Sequence, residues 1–427
     1  MRVKNVMLKP SIIALAITAA VGAPTYALAS SGELASPAYT ATQTKGEMVY
    51  QNDDTAIAIM GSVRLMAKDD SAHSVEHNIQ NNDSRVGVAL RQKINDNGYY
   101  AAGYYETGMH GLDSATDDQG NDVYTRQAYA GVGNDNYGVA TFGKQYAPTD
   151  WGLGIDTTYA YGGKAKHDTA GMSTDIINSA AIYYYNTKAF TVGVMGQGND
   201  DVDKIGFGSG YGDGPDMHDA YHDGSATVHG GAALAAQYRF ENGFSVSGAA
   251  AYNNYTVNQG SVTTDVPVGP HGGTVPVTTV TGPSYDGNTY SMGMNAKYTA
   301  NFDGFTWYNG AQATYYINKV DDVQAATSNT SNTSNQTNDQ ETILGLEYAS
   351  QFKITPEWSV YANFDWTEGG DAMDGQHFQS TTLGTDYWLG KNAVTYIEYG
   401  YEKASGNTDE SYNVSDHLAA VGMRIFI

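Results

Sequence analysis

The 427-residue sequence contains no cysteine, so no disulfide bond can hold its fold together. Small exported domains depend on disulfides when their hydrophobic cores are too small to fold alone. The absence of cysteine therefore excludes a small disulfide-stapled scaffold. A chain of this length must obtain its stability from a large and regular architecture.

Basic residues are also scarce. The chain has 22 Lys and Arg against 46 Asp and Glu, which gives a formal net charge of −24 at pH 7. Nucleic acids are polyanions and bind proteins through clusters of basic residues. So acidic a chain is a poor partner for nucleic acid, and we expect no such interaction.

The sequence lacks an apolar segment of the roughly 20 residues that a membrane-spanning helix needs. A shorter apolar run over residues 12–20 follows three basic residues and precedes an A-x-A sequence at residues 27–29. These features predict a cleavable signal peptide over residues 1–29, with the mature chain beginning at Ser30. If the exported chain enters a membrane, we expect it to do so with strands.

Tyrosine and glycine are abundant, with 34 Tyr and 50 Gly, whereas 16% of the residues are charged and the mean hydropathy is −0.42. Tyrosine is favoured in strands and at the membrane interface, where its ring is buried and its hydroxyl stays hydrated. A membrane barrel is apolar outside and polar inside, so its average hydropathy resembles that of a soluble protein. The composition favours such a barrel over a helical membrane protein.

Apolar and polar residues alternate with period two through segments long enough to cross a bilayer as tilted strands. Val86, Val88 and Leu90, for example, alternate with positions that include Arg85 and Arg91. The charged residues fall on the polar face, as a water-filled interior requires. We therefore predict an all-β fold, a 16-stranded antiparallel transmembrane β-barrel. Its strands are expected near residues 55–66, 82–94, 98–108, 122–133, 137–145, 177–187, 189–197, 229–240, 243–257, 286–300, 303–318, 340–352, 356–367, 377–389, 392–403 and 414–427.

The predicted connections alternate in length. Short turns such as residues 95–97 and 134–136 are rich in Asn and Asp, whereas other connections are long. Short turns on one rim and long loops on the other are typical of outer-membrane barrels. We predict one domain, in which residues 30–46 form an N-terminal leader and residues 47–427 form the barrel. The long, solvated loops are expected at residues 109–121, 146–176, 198–228, 258–285 and 319–339.

The last segment alternates clearly and ends at the chain terminus. One face carries Val421, Met423, Ile425 and Ile427, and the other carries Gly422, Arg424 and Phe426. A last strand that pairs with the first would close the barrel and leave no exposed apolar edge. An edge strand of a soluble β-sandwich is the alternative interpretation.

Several short sequences occur in a characteristic order along the chain. They are EMVY at 47–50, IMG at 59–61, SRVG at 84–87, TRQAYAG at 125–131, FGKQY at 142–146, NS at 178–179 before YYY at 183–185, and VGMR at 421–424. In this ordered series the chain resembles the general diffusion porins of Gram-negative bacteria, and the resemblance spans residues 47–427. It implies a homotrimer in the outer membrane that passes ions and small hydrophilic solutes by passive diffusion. It also implies contact with outer-membrane lipid and lipopolysaccharide, and with the barrel-insertion machinery.

In that family the long loop after the fifth strand folds into the barrel and narrows it, and residues 146–176 occupy this place here. Acidic residues of the loop face basic residues of the wall, which concentrates an electric field across a narrow aqueous gap. Ala160 and Lys164 stand where the family has further acids. The resemblance implies a pore constriction with the basic wall residues Arg64, Arg85 and Arg126 and the acidic loop residues Asp150, Asp156 and Asp168.

Three features depart from the family pattern. Arg64 lies two residues beyond the usual basic position, which is Ser62 here and shares its face. No basic residue occurs between Asp168 and Tyr185, where a further wall arginine is expected. The chain ends in Ile where the family usually has Phe, so insertion is either slower or uses the preceding Phe. The predicted insertion strand carries Val421, Met423, Ile425, Phe426 and Ile427.

The sequence gives little indication of catalysis or of a bound metal. Two loop segments rich in Asp and His, near residues 113–122 and 216–229, lack the spacing of a calcium loop and the helical scaffold of a zinc site. We find no nucleophile elbow, phosphate loop or paired-His helix. We therefore expect no cofactor, no metal and no catalytic residue. The enzyme alternative is an outer-membrane hydrolase with Ser and His at the membrane edge.

The acidic total favours cations over anions, so we predict a porin with modest cation selectivity. Many of the acidic residues lie in loops, where dissolved salt screens their negative charge. The alternative functions are a substrate-specific outer-membrane channel and a surface adhesin or receptor that uses the long external loops. A sugar-specific channel would carry aromatic residues along the lumen face.

Overall fold

The computed structural model describes residues 46–70, 79–109, 123–169, 176–202, 226–257, 261–268, 273–280, 284–324, 340–371, 375–406 and 412–427. The predicted signal peptide, residues 1–29, lies outside the described residues. So do all but the last residue of the predicted leader and most of the two Asp- and His-rich loop segments.

The described residues contain two short helices, α1 Pro148–Gly152 and α2 Lys164–Thr169. Neither has the length and apolar content that a helix needs to cross a membrane. The strands, in chain order, are β1 Gly46–Gln51, β2 Thr55–Asp70, β3 Ile79–Asn81, β4 Arg85–Lys93, β5 Tyr99–Met109, β6 Val123–Asn134, β7 Gly138–Tyr146, β8 Ile176–Asn186, β9 Phe190–Gln197, β10 Asp200–Val202, β11 Ala226–Arg239, β12 Phe244–Val257, β13 Ser261–Val268, β14 Gly273–Val280, β15 Ser284–Phe302, β16 Phe305–Gln324, β17 Gln340–Lys353, β18 Trp358–Asp371, β19 His377–Trp388, β20 Ala393–Gly406 and β21 Tyr412–Phe426.

Sixteen of these strands form the barrel wall, and each coincides with one of the sixteen predicted segments to within a few residues. Each pairs antiparallel with its neighbours along the chain. The prediction of a 16-stranded antiparallel barrel is confirmed. The period-two alternation identifies the wall strands because each residue must face either the inside or the outside.

The wall closes where β21 pairs with β2. Phe426 lies opposite Ser62 in this pair, and the amide of Ile427 donates to the carbonyl oxygen of Gly61 at 3.0 Å. β1 pairs with the first part of β2, with Gly46 opposite Met60, so it lies in line with β21 along the same strand. The predicted pairing of the last strand with the first is therefore confirmed, and the β-sandwich interpretation is wrong.

The loop predicted at residues 258–285 is not wholly irregular. Its described parts form a two-stranded hairpin, β13 with β14, in which Val266 lies opposite Val275. Valine and threonine are frequent there and favour extended backbone. The Gly and Pro content that predicted a loop therefore did not prevent local strand pairing.

The outer face of the wall is apolar and the inner face is polar. In β17, Leu344, Leu346 and Tyr348 are about two-fifths exposed, whereas Glu347 and Ala349 are buried. In a closed barrel the crowded, buried side chains point inward and the exposed ones point outward. An exposed surface of leucine, valine and aromatic residues around the whole wall requires apolar surroundings.

The last strand follows the same rule. Val421, Met423, Ile425 and Ile427 are exposed on the outer face. Phe426 is buried on the inner face, where its ring stacks on Trp388 with the ring centres 5.9 Å apart. The chain therefore ends with its aromatic residue directed inward and an isoleucine directed outward.

The short turns use Asn and Gly for physical reasons. The side-chain oxygen of Asn95 accepts the amide of Asn97 at 3.0 Å, and that of Asn134 accepts the amide of Asn136 at 2.9 Å. Such side-chain bonds mimic a backbone turn and reverse the chain in few residues. Gly98 closes the first of these turns with φ = 82°, a conformation that strains residues with a side chain.

Candidate functional site

The segment between β7 and β8 packs against the inner face of the wall. It begins with α1, where Gly152 approaches β11 and β12 so closely that a Cβ atom would lie 2.8 Å from that of Ala235 and 3.0 Å from that of Ala249. Trp151 of the same helix contacts the ring of Tyr184, with the ring centres 6.5 Å apart. A glycine at the contact lets the helix backbone lie directly on the wall.

Beyond α1 the backbone of the segment is held by polar side chains of the wall. Asn295 donates to the carbonyl oxygen of Gly152 and the hydroxyl of Tyr308 donates to that of Ile155, both at 2.9 Å. The carboxylate of Asp156 accepts the side-chain amide of Asn363 at 2.8 Å. The segment thus runs along the inner face of the wall, past several strands.

Tyr159 is bound to the wall through its backbone, its hydroxyl and its ring. Its amide donates to the carboxylate of Glu398, and its carbonyl oxygen accepts a guanidinium N–H of Arg424. Its hydroxyl donates to Asp386 at 3.2 Å, and its ring stacks on Tyr396 with the ring centres 4.6 Å apart. Burial raises the pKa of Tyr159, and the nearby Asp386 adds to this, so the hydroxyl stays protonated and able to donate.

The wall acids hold the rest of the segment through its backbone amides and lysines. Glu398 also accepts the amide of Ala160 at 2.9 Å. Asp365 accepts the amide of Ala165 at 3.0 Å, and Glu402 forms an ion pair with Lys164. Fully buried carboxylates require such partners, because an unpaired buried charge costs several kcal/mol.

A second part of the inner wall is basic. Arg85 and Arg126 are buried and share the carboxylate of Asp83, at 2.5 Å and 3.4 Å respectively. Asp83 adopts a left-handed conformation, φ = 60°, that aspartate tolerates better than most residues. Arg126 also binds Glu106 at 2.8 Å, and Glu106 accepts the hydroxyl of Tyr104 at 2.6 Å.

Arg64 belongs to the same group, as its inward alternation predicts. It is 7% exposed, and its Nε atom donates to the hydroxyl of Ser62 at 2.7 Å. The structure therefore brings together the three predicted wall residues Arg64, Arg85 and Arg126. Their part in a pore constriction stays a prediction.

The predicted acidic loop residues have other partners. Asp150 forms an ion pair with Lys166 of the same segment at 2.7 Å, and Asp156 binds Asn363 and the amide of Thr158. The side chain of Asp168, in α2, lies outside the described residues. Asp150 and Asp156 therefore have partners on the segment and on the wall, and the part of Asp150, Asp156 and Asp168 in a pore constriction stays a prediction.

Sequence reasoning missed the residues that fix the segment to the wall. Glu398, Glu402 and Asp365 alternate with outward apolar residues, which indicates that they face inward but not what they bind. Arg424 was placed on the inner face of the last strand, yet its contact with Tyr159 joins residues 265 positions apart. No local pattern predicts such a contact.

A closed 16-stranded barrel with an apolar outer face and a charged, polar inner face defines a transmembrane channel protein. Residues 16–407 of the chain match the family model described as Gram-negative porin. The chain belongs to the Gram-negative porin family. It is a channel of the bacterial outer membrane that serves passive diffusion.

A curated relative supports this assignment. The chain is 26% identical over 402 residues to the major outer membrane protein of Pasteurella multocida strain Pm70, which covers 92% of this chain and 97% of that protein. The relative's name agrees with the outer-membrane location.

Solved structures share the fold. Outer-membrane expressed OmpT of Vibrio cholerae is 18% identical, with a TM-score of 0.60 over 89% of this chain and all of that one. The outer membrane channel DcaP of Acinetobacter baumannii is 12% identical, with a TM-score of 0.58 over 88% of this chain and 99% of that one. OmpF of Salmonella typhi, in complex with daunomycin, is 17% identical, with a TM-score of 0.53 over 89% of this chain and all of that one.

Proposed function

We propose that the protein is a general diffusion porin whose lumen is narrowed by the segment 147–169. The observation that carries this proposal is the row of inner-wall groups that bind the segment: Asn295, Tyr308, Asn363, Glu398 and Arg424. These groups lie on β15, β16, β18, β20 and β21, so the segment occupies the interior along this part of the wall. A segment fixed in this way reduces the cross-section open to solutes.

The inner aromatic residues support general diffusion over a sugar-specific channel. A sugar needs exposed ring faces on which to stack. Tyr361 and Tyr396 are 4% and 1% exposed, and the ring of Tyr159 is covered by contacts with both of them. These rings therefore fix the segment and are not open to a passing solute.

Cation selectivity is proposed from the distribution of charge. Inside the described barrel, Glu106, Glu398 and Glu402 are already bound to basic groups or amides. The excess of acidic over basic residues lies in long connections such as residues 198–228, which contain seven Asp and one Lys. Acids near the ends of the channel concentrate cations, and salt screens this effect within a Debye length of about 10 Å at 0.1 M.

We propose a homotrimer as the assembly. One structure of the same fold, OmpT of Vibrio cholerae, is described as a trimer form and is 19% identical to this chain over 88% of its length. The family resemblance implies the same state, with lipopolysaccharide and lipid around it and the insertion machinery acting on the last strand. Because Phe426 faces inward, recognition of an outward aromatic terminus would find Ile427 in its place.

Planar-bilayer recordings of the purified, unheated protein test these proposals together. We expect stepwise ohmic conductance that closes in three equal steps, since each copy carries its own lumen. In a salt gradient the reversal potential should have the cation sign at 0.1 M salt and shrink towards zero at 1 M. A reversal potential of the anion sign would overturn the proposed cation selectivity. Closure in single steps would overturn the proposed trimer, and an absence of conductance would overturn the proposed channel.

A further inference from the structure

A row of small side chains runs across the inner wall. It spans six neighbouring wall strands, from β9 to β17, and its members lie directly opposite one another in the strand register. In order, this small-residue row consists of Gly193, Ala235, Ala249, Gly293, Thr314 and Gly345. The adjoining inner row carries the larger Asn295, Gln312 and Glu347. The small-residue row is therefore a shallow trough in the inner face of the wall.

The segment 147–169 lies in this trough. At the β9 end, a Cβ atom on Gly193 would lie 3.1 Å from the Cβ atom of Pro148. On β15, a Cβ atom on Gly293 would lie 2.9 Å from the Cδ2 atom of Leu153. Carbon atoms in ordinary contact are about 3.5–4.0 Å apart, so a larger side chain at these positions would push the segment away from the wall.

The β17 end of the trough holds α2 in the same way. A Cβ atom on Gly345 would lie 2.9 Å from the carbonyl oxygen of Ala165. On the neighbouring strand, the hydroxyl of Thr314 accepts that of Thr169 at 2.6 Å. Both short helices of the segment therefore rest on the small-residue row.

The contact in the middle of the trough is tight from both sides. A Cβ atom on Gly152 of α1 would lie 2.8 Å from that of Ala235 and 3.0 Å from that of Ala249, and these two alanines are 0% and 8% exposed. Their strands, β11 and β12, are hydrogen-bonded to a neighbour on each side, so the wall resists moving outward. A larger side chain at this contact therefore displaces the segment towards the lumen.

We propose that the small-residue row sets the size limit of the channel, because it fixes how closely the segment lies against the wall. Its members lie behind the segment and act by positioning it. Adding methyl groups at Ala235 or Ala249 moves α1 into the lumen by roughly 0.5–1 Å. The inference rests on the proposed narrowing of the lumen by the segment, and it names the residues that decide the extent of the narrowing.

The test compares Ala249→Val with Ala250→Val in liposome-swelling measurements with neutral sugars. Valine at 249 adds two carbon atoms on the side of α1, whereas valine at 250 adds the same atoms on the exposed outer face of the same strand. Ala249→Val should lower the rate for a disaccharide relative to that for a monosaccharide about twofold, because a narrower pore slows the larger solute more. Ala250→Val should leave this ratio at the value of the unaltered protein.

Gly152→Ala and its rescue give a second test, which serves if Ala249→Val fails to insert. Gly152→Ala places a Cβ atom against Ala235 and should also lower the ratio of the two sugar rates. Ala235→Gly in the same chain removes the opposing methyl group and should restore most of the ratio. A general disturbance of the barrel would not be reversed by a second substitution that removes a wall side chain.

An unchanged ratio in both Ala249→Val and Gly152→Ala would contradict the inference. So would a fall that Ala250→Val shares, or a ratio that rises, since the segment would then have left the wall. If the unaltered protein passes both sugars at rates that do not depend on their size, the proposed narrowing itself is wrong.

Discussion

Glu106→Ala should lower the free energy of unfolding of the barrel by about 3–5 kcal/mol, because it breaks a buried ion pair from one side. Glu106 is 2% exposed and accepts from Arg126, from the hydroxyl of Tyr104 and from Gln127 at 3.2 Å. Alanine leaves all three donors without this acceptor and Arg126 with the longer contact to Asp83. Denaturant unfolding in detergent micelles, followed by tryptophan fluorescence, measures the loss.

Asp96→Asn provides the control for this measurement. Asp96 pairs with Lys93 at 2.6 Å, but its side chain is 95% exposed, so water and salt replace the interaction. No measurable change in unfolding is expected. Equal effects of Glu106→Ala and Asp96→Asn would show that the buried pair contributes no more than a surface pair.

Glu398→Ala should release the segment 147–169 from the wall. The carboxylate accepts the amides of Tyr159 and Ala160 and the hydroxyl of Tyr361. Three hydrogen bonds of about 1 kcal/mol each give a shift of roughly 3 kcal/mol, or about a hundredfold in the ratio of detached to bound segment. We expect larger current fluctuations in the open channel and a higher mean conductance in planar bilayers.

Glu368→Ala on β18 is the matched control, because its carboxylate is about half exposed and its described ion-pair partner is His377, 4.0 Å away on the wall. Its conductance and current noise should match those of the unaltered protein. If Glu398→Ala behaves like Glu368→Ala, the segment does not depend on this carboxylate, and its role in narrowing the lumen loses its main physical support.

The wall could be predicted from the sequence because its pattern is imposed residue by residue. Alternation places Leu344 and Leu346 outward and Glu347 inward, and the structure has them so. The inward positions of Arg64 and Arg85 followed from the same rule, and that of Arg126 from the family resemblance. A strand between lipid and an aqueous interior has two environments at period two, which is the strongest signal that a single sequence can carry.

The contacts of the segment could not be predicted, because they depend on which strands lie opposite in the closed barrel. The family resemblance implied an acid at the position of Lys164, whereas the structure pairs this lysine with Glu402 on the wall. Asp150 finds its partner within the segment, in Lys166, rather than across the lumen. Ion pairs between residues that are distant in the sequence leave no trace in the local sequence pattern.

Nitroxide scanning of one wall strand tests most directly whether the strands separate lipid from an aqueous interior. The sequence contains no cysteine, so single cysteines can be placed at residues 379 to 383 of β19 without background. Thr381 and Leu383 are exposed outward, whereas Ser380 and Thr382 are buried inward. A barrel in lipid predicts high oxygen accessibility at 379, 381 and 383 and low accessibility at 380 and 382. Uniform accessibility along the strand, or the inverse alternation, would contradict it.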